Sequence, residues 1–554
     1  MICLNSIRLL PIAAALALQA CSNIGSVAET KPGQLPNTTM QQSSVQQLLD
    51  APAHVQRQAI VDKKISVQAL TQAYINRIEK LDTRTGSVLA INPDAMAQAK
   101  AKDEALAKGN IQPGPLFGLP VLLKDNIETR DMPTTAGSLA LANNDTNRDA
   151  PLVENLRKAG AVILGKTNLS EWANFRSEDS VSGWSAVGGL TRNPYNLSRT
   201  ACGSSSGSGA AVAADFASMA VGTETNGSII CPASFNGVVG YKPTVGMISR
   251  RHIVPISISQ DTAGPMTKSV TDAIVMAQVM ASEDAKDTVT TDRDRTQIKS
   301  PQQLSDGLKG VKVGVVRFAQ GNDERVLAQY NKALETLEQQ GAILVDIDEF
   351  KTPDKYWDNS YHVLLAEFKT GVNEYLADSP ADLPANTLEE LIAFNQQTRR
   401  ELGLFNQNIF EKAQATEGAE KERYEEARTM VKEASTQQGI DKLLTEYEVD
   451  LLVAPSNTPA FLIDTLYGDH APGGFIGIGY LAAIAGYPHV SVPAGLVNGL
   501  PVGLSFISTK WQDNRVLAAG LAFEQAHKPV PAPTFMESDA KLQQHQDLLK
   551  PVSP

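Results

Sequence analysis

Hydrophobic positions along the chain fall into three textures. From residue 45 to about 108 they recur at helical spacing, as in Leu70-Thr71-Gln72-Ala73-Tyr74-Ile75-Asn76-Arg77-Ile78, and alanine is abundant, which predicts surface helices. From 116 to about 345 the pattern changes to short apolar runs bounded by Gly and Pro and alternating with helical stretches. Runs at 119–123, 161–164, 219–221, 238–239 and 311–316 predict buried strands. Residues 350–445 are charged and helical, clearest at Lys421-Glu422-Arg423-Tyr424-Glu425-Glu426, and read as an inserted helical layer. Strand texture returns at 450–454 and 490–507, and no internal repeat is present. The alternation predicts an α/β core, and 554 residues at 42% hydrophobic content can bury a large one in one or two domains.

Charge changes this picture little. The 49 basic and 61 acidic residues give a net charge of -12 spread along the chain, which argues against a nucleic-acid footprint. Lys63-Lys64 and Lys100, Lys102 and Lys108 are sparse groupings that read as solvated helix faces. The start of the chain adds more. Arg8 is followed by an apolar run at 9–18 and then by Leu18-Gln19-Ala20-Cys21. The run is too short to span a bilayer and fits a removable leader at 1–20. Leu-x-Ala-Cys resembles a bacterial lipobox, in which Cys21 would carry the lipid and supply the chain's membrane contact; plain secretion with cleavage nearby is the alternative. Ser22 after the cysteine resembles outer-membrane sorting, and either route takes the protein out of the cytoplasm, to the periplasm or outer membrane. Residues 21–45 then form a polar linker, 46–530 the main domain, and 531–554 a C-terminal tail.

With Cys3 in the leader and Cys21 at the cleavage point, Cys202 and Cys231 remain. They could pair in an oxidising compartment, but both sit in small-residue segments that read as buried, and the expectation is free core thiols. No Cys-x-x-Cys or His-Glu-x-x-His spacing appears, so no metal or other cofactor is expected.

Three segments carry candidate chemistry. In Gly118-Leu119-Pro120-Val121-Leu122-Leu123-Lys124-Asp125-Asn126 a lysine closes a wholly apolar strand. Burial lowers a lysine from its reference near roughly 10.4, at about 1.4 kcal/mol per unit, and a neutral lysine can act as a base. Alternatively Lys124 snorkels to solvent or pairs with Asp125. The second segment is Cys202-Gly203-Ser204-Ser205-Ser206-Gly207-Ser208-Gly209, followed by an alanine-rich stretch that reads as a buried helix rather than a linker. Gly203-Ser204-Ser205-Ser206-Gly207 also satisfies the Gly-x-Ser-x-Gly elbow of α/β-hydrolases, but Arg192-Asn193-Pro194-Tyr195-Asn196-Leu197 before it is turn-like, whereas an elbow follows a strand. The third is Gly222-Thr223-Glu224-Thr225-Asn226-Gly227-Ser228-Ile229, where a serine follows a small turn whose NH groups can converge on an oxyanion.

Together with Gly165-Lys166-Thr167-Asn168-Leu169-Ser170-Glu171, Gly240-Tyr241-Lys242-Pro243-Thr244 and Asp261-Thr262-Ala263-Gly264-Pro265-Met266, these segments resemble the amidase signature family from about residue 45 to 525. The resemblance implies one large α/β domain with a mixed central sheet covered by helices on both faces. It places the family's lysine on Lys124, its bridging serine, in a cis peptide, on Ser204, and its nucleophile on Ser228. It further implies that neutral Lys124 draws a proton through Ser204 from Ser228, which attacks an amide carbonyl to form an acyl-enzyme, and that Thr225, Asn226, Gly227 and Ser228 hold the oxyanion. No histidine is required, and none of His252, His362, His470, His489, His527 and His545 lies in a segment resembling a catalytic loop. His252 and His489 read as packing or surface residues. The chain departs from the family pattern at Cys202, Asn226 and Ile230, the last standing where an arginine is usual. Its look is closest to the peptide amidase branch, with a small-molecule or peptide amide as substrate. The expected walls of the acyl pocket are the helical insertion and the loops around Met132, Trp184 and 475–478. Two other readings share the fold: the amide-cleaving, A-type component of a tRNA-dependent amidotransferase, and a catalytically silent ligand-binding lipoprotein.

Overall fold

Val121 and Leu123 point into one apolar cluster, and Leu122 between them into another. Met219 and Val221 flank Ala220 in the same way. Successive side chains of a strand alternate faces, so a strand covered on both sides reads as an unbroken apolar run. That is why these segments carry no alternation. The computed structural model describes residues 45–109, 111–305, 307–471, 476–542 and 546. The leader, Cys21, the linker up to residue 44, His545 and Phe475 lie outside the described residues.

Eleven strands form a single mixed sheet between helices. In chain order they are β1 (Val88–Ile91), β2 (Pro120–Lys124), β3 (Val162–Thr167), β8 (Met219–Glu224), β9 (Val239–Lys242), β10 (Thr262–Thr267), β11 (Lys312–Val316), β12 (Ile343–Ile347), β13 (Leu451–Pro455), β14 (His489–Val497) and β15 (Leu500–Ile507). Two small ribbons lie outside it: β4 (Trp184–Ser185) with β5 (Gly189–Leu190), and β6 (Arg192–Asn193) with β7 (Asn196–Thr200). The spatial order is β1-β3-β2-β8-β10-β9-β14-β15-β13-β11-β12. β2 runs parallel to both β3 and β8, and β11 parallel to β12 and β13, while the other neighbours are antiparallel.

Each apolar run read as a strand forms one. Outside the sheet, the stretch 192–197, read as turn-like, forms β6 and the start of β7, because its two arms pair with each other. Within the sheet two strands depart from the expected texture. β1 interrupts the helical region, between the helices Val67–Thr85 and Ala95–Lys108, and β10 inserts antiparallel between β8 and β9 although it contains Gly264 and Pro265. The alanine-rich stretch after Ser205 is the helix Ser206–Ala213, all eight residues buried, its small side chains allowing close approach to the sheet.

Between β12 and β13 the chain forms a helical layer including Tyr356–Asp378, Leu388–Gln397, Asn408–Gln414 and Glu422–Ser435. Trp172 joins it to the sheet by edge contacts with Phe368 and Phe410. Arg176 joins it electrostatically, with Nε 3.2 Å from Glu171 and Nη1 3.7 Å from Glu401, all three side chains fully buried. Burial, reinforced by the neighbouring Glu401, pushes the Glu171 carboxyl well above the usual range. The described part of the tail docks back on the domain: Phe535 NH donates to the Pro194 carbonyl (2.9 Å), and the Arg84 guanidinium lies over the Phe535 ring.

Candidate active site

Because β2 and β8 are parallel and in register from Val121↔Met219 to Leu123↔Val221, their carboxyl ends reach the same edge of the sheet. That edge is where α/β sheets present their sites. It brings Lys124, the last residue of β2, beside Thr223 and Glu224. The Lys124 amine neither snorkels nor pairs with Asp125. Its Nζ lies 2.7 Å from Ser204 Oγ, 2.8 Å from Thr223 Oγ1 and 3.3 Å from the Thr223 carbonyl, in full burial. Asp125 turns away to Lys166, 3.1 Å distant. Desolvation lowers Lys124 to about 7, opposed by the negative charges of Asp261 and Glu224.

Ser204 follows a cis peptide after Gly203, and a β-carbon on Gly203 would collide with Ser170 Oγ. The Ser170 NH donates to the Ser204 carbonyl (3.1 Å). Ser205, the central serine of the elbow pattern, is a backbone clamp: its Oγ donates to the Thr223 carbonyl (3.0 Å) and accepts from the Thr223 NH (3.1 Å). Its own NH donates to the Ser228 carbonyl at 3.2 Å, tying the two serine-bearing turns together. Among the described residues no side-chain hydrogen bond joins Ser204 to Ser228.

Ser228 is nearly buried, and the turn before it is exposed at Asn226. Gly227 has φ of 86°, a left-handed conformation that favours glycine. Two carboxylates shape this turn. Glu224 Oε2 accepts the NH groups of Ile229 (2.8 Å) and Ile230 (3.0 Å), just beyond Ser228. Asp261 accepts from Thr225 Oγ1 at 2.5 Å and from the NH groups of Ile256 (2.8 Å) and Ser257 (2.9 Å). The NH groups of Asn226, Gly227 and Ser228 have no acceptor among the described residues. Thr223, Glu224 and Asp261 received no role from the sequence, although all three lie inside the quoted motifs. Their position beside two buried lysines, Lys124 and Lys242, was the missing signal.

One expectation is overturned. Cys202 and Cys231 are not free thiols but form a disulfide, with Cα atoms 6.0 Å apart. The small-residue composition that suggested inert burial instead lets the two turns pack closely enough to be bridged. Cys202 sits at φ 58°, a backbone region disfavoured by about 1–2 kcal/mol for residues with a β-carbon.

No histidine among the described residues bonds to Lys124, Ser204 or Ser228. His489 is fully buried with Nε2 2.6 Å from Ser505 Oγ, and burial lowers it to about 3. A cavity of about 220 Å³ adjoins the site, with Asn126, Ala173, Thr223, Thr225, Ile256 and Asp261 among its walls. Met132 and Trp184 stand away from it, Met132 in the main core and Trp184 against Phe405. Ile476, Gly477 and Ile478 line a second cavity of about 620 Å³ with Phe461 and Tyr480. Among the described residues no group of three or more His, Cys, Asp or Glu side chains could hold a metal ion.

A family model described as Amidase matches residues 69–517. The peptide amidase of Stenotrophomonas maltophilia, a solved structure, is 41% identical with a TM-score of 0.82, over 88% of this chain and 99% of that one. An amidase family protein from Bacillus anthracis is 34% identical with a TM-score of 0.80, over 90% of this chain and 95% of that one. The A-type component of the glutamyl-tRNA(Gln) amidotransferase of Thermoanaerobacter pseudethanolicus is 32% identical over 500 residues, 87% of this chain and 97% of that protein. On that span of agreement the chain belongs to the amidase family, as an amide-hydrolysing enzyme with the amidase signature fold.

Proposed function

We propose that this enzyme hydrolyses carboxamides through an acyl-enzyme on Ser228, with Ser204 as proton relay and Lys124 as base. The observation that carries the reading is the buried Lys124 Nζ, 2.7 Å from Ser204 Oγ and lowered to about 7. A neutral amine has two hydrogens and one lone pair. Thr223 Oγ1 and the Thr223 carbonyl accept the two hydrogens, which leaves the lone pair for the Ser204 hydroxyl proton. Ser204, once its proton moves to Lys124, takes the Ser228 proton as Ser228 Oγ attacks the amide carbon. The oxyanion forms against the NH groups of Thr225, Asn226, Gly227 and Ser228, a stabilisation of about 3 kcal/mol per effective donor. Ser204 then returns a proton to the leaving nitrogen, and water releases the acid. The 2.7 Å Lys124–Ser204 contact forms the first half of the relay, and the Ser205 NH on the Ser228 carbonyl keeps the two serine-bearing turns together for the second.

Likeness to a peptide amidase at 41% identity supports C-terminal amides of peptides as the substrate class. The amidotransferase relative supports a second reading, transfer of the released ammonia with ATP and tRNA. The leader pattern ending in Leu18-Gln19-Ala20-Cys21 supports export and a lipid on Cys21, and favours the hydrolytic reading outside the cytoplasm. Mass spectrometry of the cell-purified protein should find a mature N-terminus at a diacylated Cys21, and a cytosolic chain retaining its leader would refute export.

Activity is expected as ammonia release from peptide amides without ATP or tRNA, and a fluorophosphonate probe should label Ser228. Ser228→Ala should abolish both, and Lys124→Ala should lower kcat by about 100- to 10,000-fold; either variant at wild-type rate refutes the mechanism. Because Lys124 must be neutral to act, kcat/KM should rise about tenfold per pH unit below a midpoint near 7 and level off above it. A limb centred near 10 would show an ordinary lysine and contradict the base assignment.

A further inference from the structure

We propose that the Cys202–Cys231 bridge is a positioning device for the reaction: it sets the placement of Ser204 relative to Ser228, so that full turnover requires the oxidised pair. This rests on the reading of Ser228 as nucleophile and Ser204 as its relay. Cys202 stands two residues before Ser204 and Cys231 three residues after Ser228, so the bridge spans the two turns that carry the reacting hydroxyls. The other ties between these segments are few: Ser205 NH to the Ser228 carbonyl (3.2 Å), the Ser205 hydroxyl on Thr223, and Asn236 Nδ2 to the Ala201 carbonyl (2.9 Å). None of them holds Ser204 Oγ to Ser228 Oγ, so their approach is set by the backbones.

Cys202 is the residue that gains most from the bond. At φ 58° it occupies a conformation that favours glycine, and its sulfur is anchored across the gap to Cys231. Cys231 lies in the helix Ile230–Phe235, whose first NH is held by Glu224, so the bridge also fixes that helix against the Ser204 turn. Phe235, Ala460 and Phe461 share one apolar cluster with the two cysteines, both of which are buried. Reduction by a dithiol breaks the one S–S bond and forms two thiols, while the dithiol is oxidised to its cyclic disulfide. Cys202 is then free to leave the left-handed region, and Ser204 moves with it.

The test uses the full chain and a peptide amide, with kcat, KM and fluorophosphonate labelling rate measured for four proteins. They are the oxidised wild type, the wild type reduced by dithiothreitol under native conditions and shown to gain two titratable thiols, the Cys202→Ser/Cys231→Ser double variant, and Ser228→Ala. Loss of the bridge should lower kcat and labelling together by about ten- to a hundredfold, with KM little changed and the circular dichroism native. Reoxidation should restore the reduced wild type. A bridge-free enzyme that keeps wild-type kcat and loses only thermal stability would overturn the proposal. If the double variant does not fold, the reduced wild type decides, and if reductant does not reach the sulfurs, Cys202→Ala and Cys231→Ala singly decide on the same criterion. An oxidised wild type that neither turns over nor takes the probe overturns the Ser228 reading instead, whereas full bridge-free activity beside an inert Ser228→Ala overturns the bridge alone.

Discussion

The structure depends on keeping one amine out of water. Lys124 ends a strand buried on both faces, and its Nζ meets only hydroxyl and carbonyl oxygens. A lowering from 10.5 to about 7 removes about 5 kcal/mol of the advantage that the ammonium form holds in water. Asp261 and Glu224 act against that lowering, yet neither touches the amine: Asp261 and the Glu224 Oε2 oxygen accept backbone NH groups of the turns they shape, while Glu224 Oε1 is buried without a hydrogen-bond partner. A carboxylate in direct contact with Lys124 would stabilise the charge, and the base would be lost. Asp125, the adjacent acid in sequence, is likewise committed to Lys166. Three acids are thus kept from one lysine, and the surrounding hydrogen-bond pattern follows from that.

The parallel trio β3-β2-β8 gives the lysine its place, and the antiparallel β10 completes it. Thr262 pairs with Glu224, which carries Asp261 to the Thr225 hydroxyl and so stiffens the turn before Ser228. The helical layer contributes at a distance through Arg176 and Trp172, next to the segment whose Ser170 holds Ser204. Glu367 of that layer also accepts the Ser259 hydroxyl (3.0 Å), so the loop that forms one wall of the 220 Å³ cavity is braced by the insertion.

Much of this was legible in the chain. The apolar runs marked the central strands because both faces are covered, and Lys124 stood out as a charge closing such a run. Ser204 and Ser228 were singled out by motif, and the fold brings their turns into backbone contact. What was hidden is tertiary. β10 carries a glycine and a proline and lacks any strand signature, and it forms because β8 and β9 offer open edges on either side. The Cys202–Cys231 pairing depends on two turns meeting, which no spacing along the chain encodes. Glu224 and Asp261 act on backbone NH groups that tertiary packing brings to them, which their places in the chain do not reveal. Met132 in the core and Trp184 against Phe405 stand apart from the 220 Å³ cavity, and an apolar side chain in a loop reads alike whether it faces a cavity or the core.

The central claim is that Lys124 titrates near neutral pH, so that a large share of it is a neutral amine at physiological pH. Its most direct measure is an NMR titration of the enzyme carrying 13C-labelled lysine, with the Lys124 Cε resonance assigned by difference against Lys124→Arg. The predicted result is a titration midpoint near 7, far below those of the exposed lysines. A Lys124 resonance that stays in the ammonium position up to about pH 10 would contradict it.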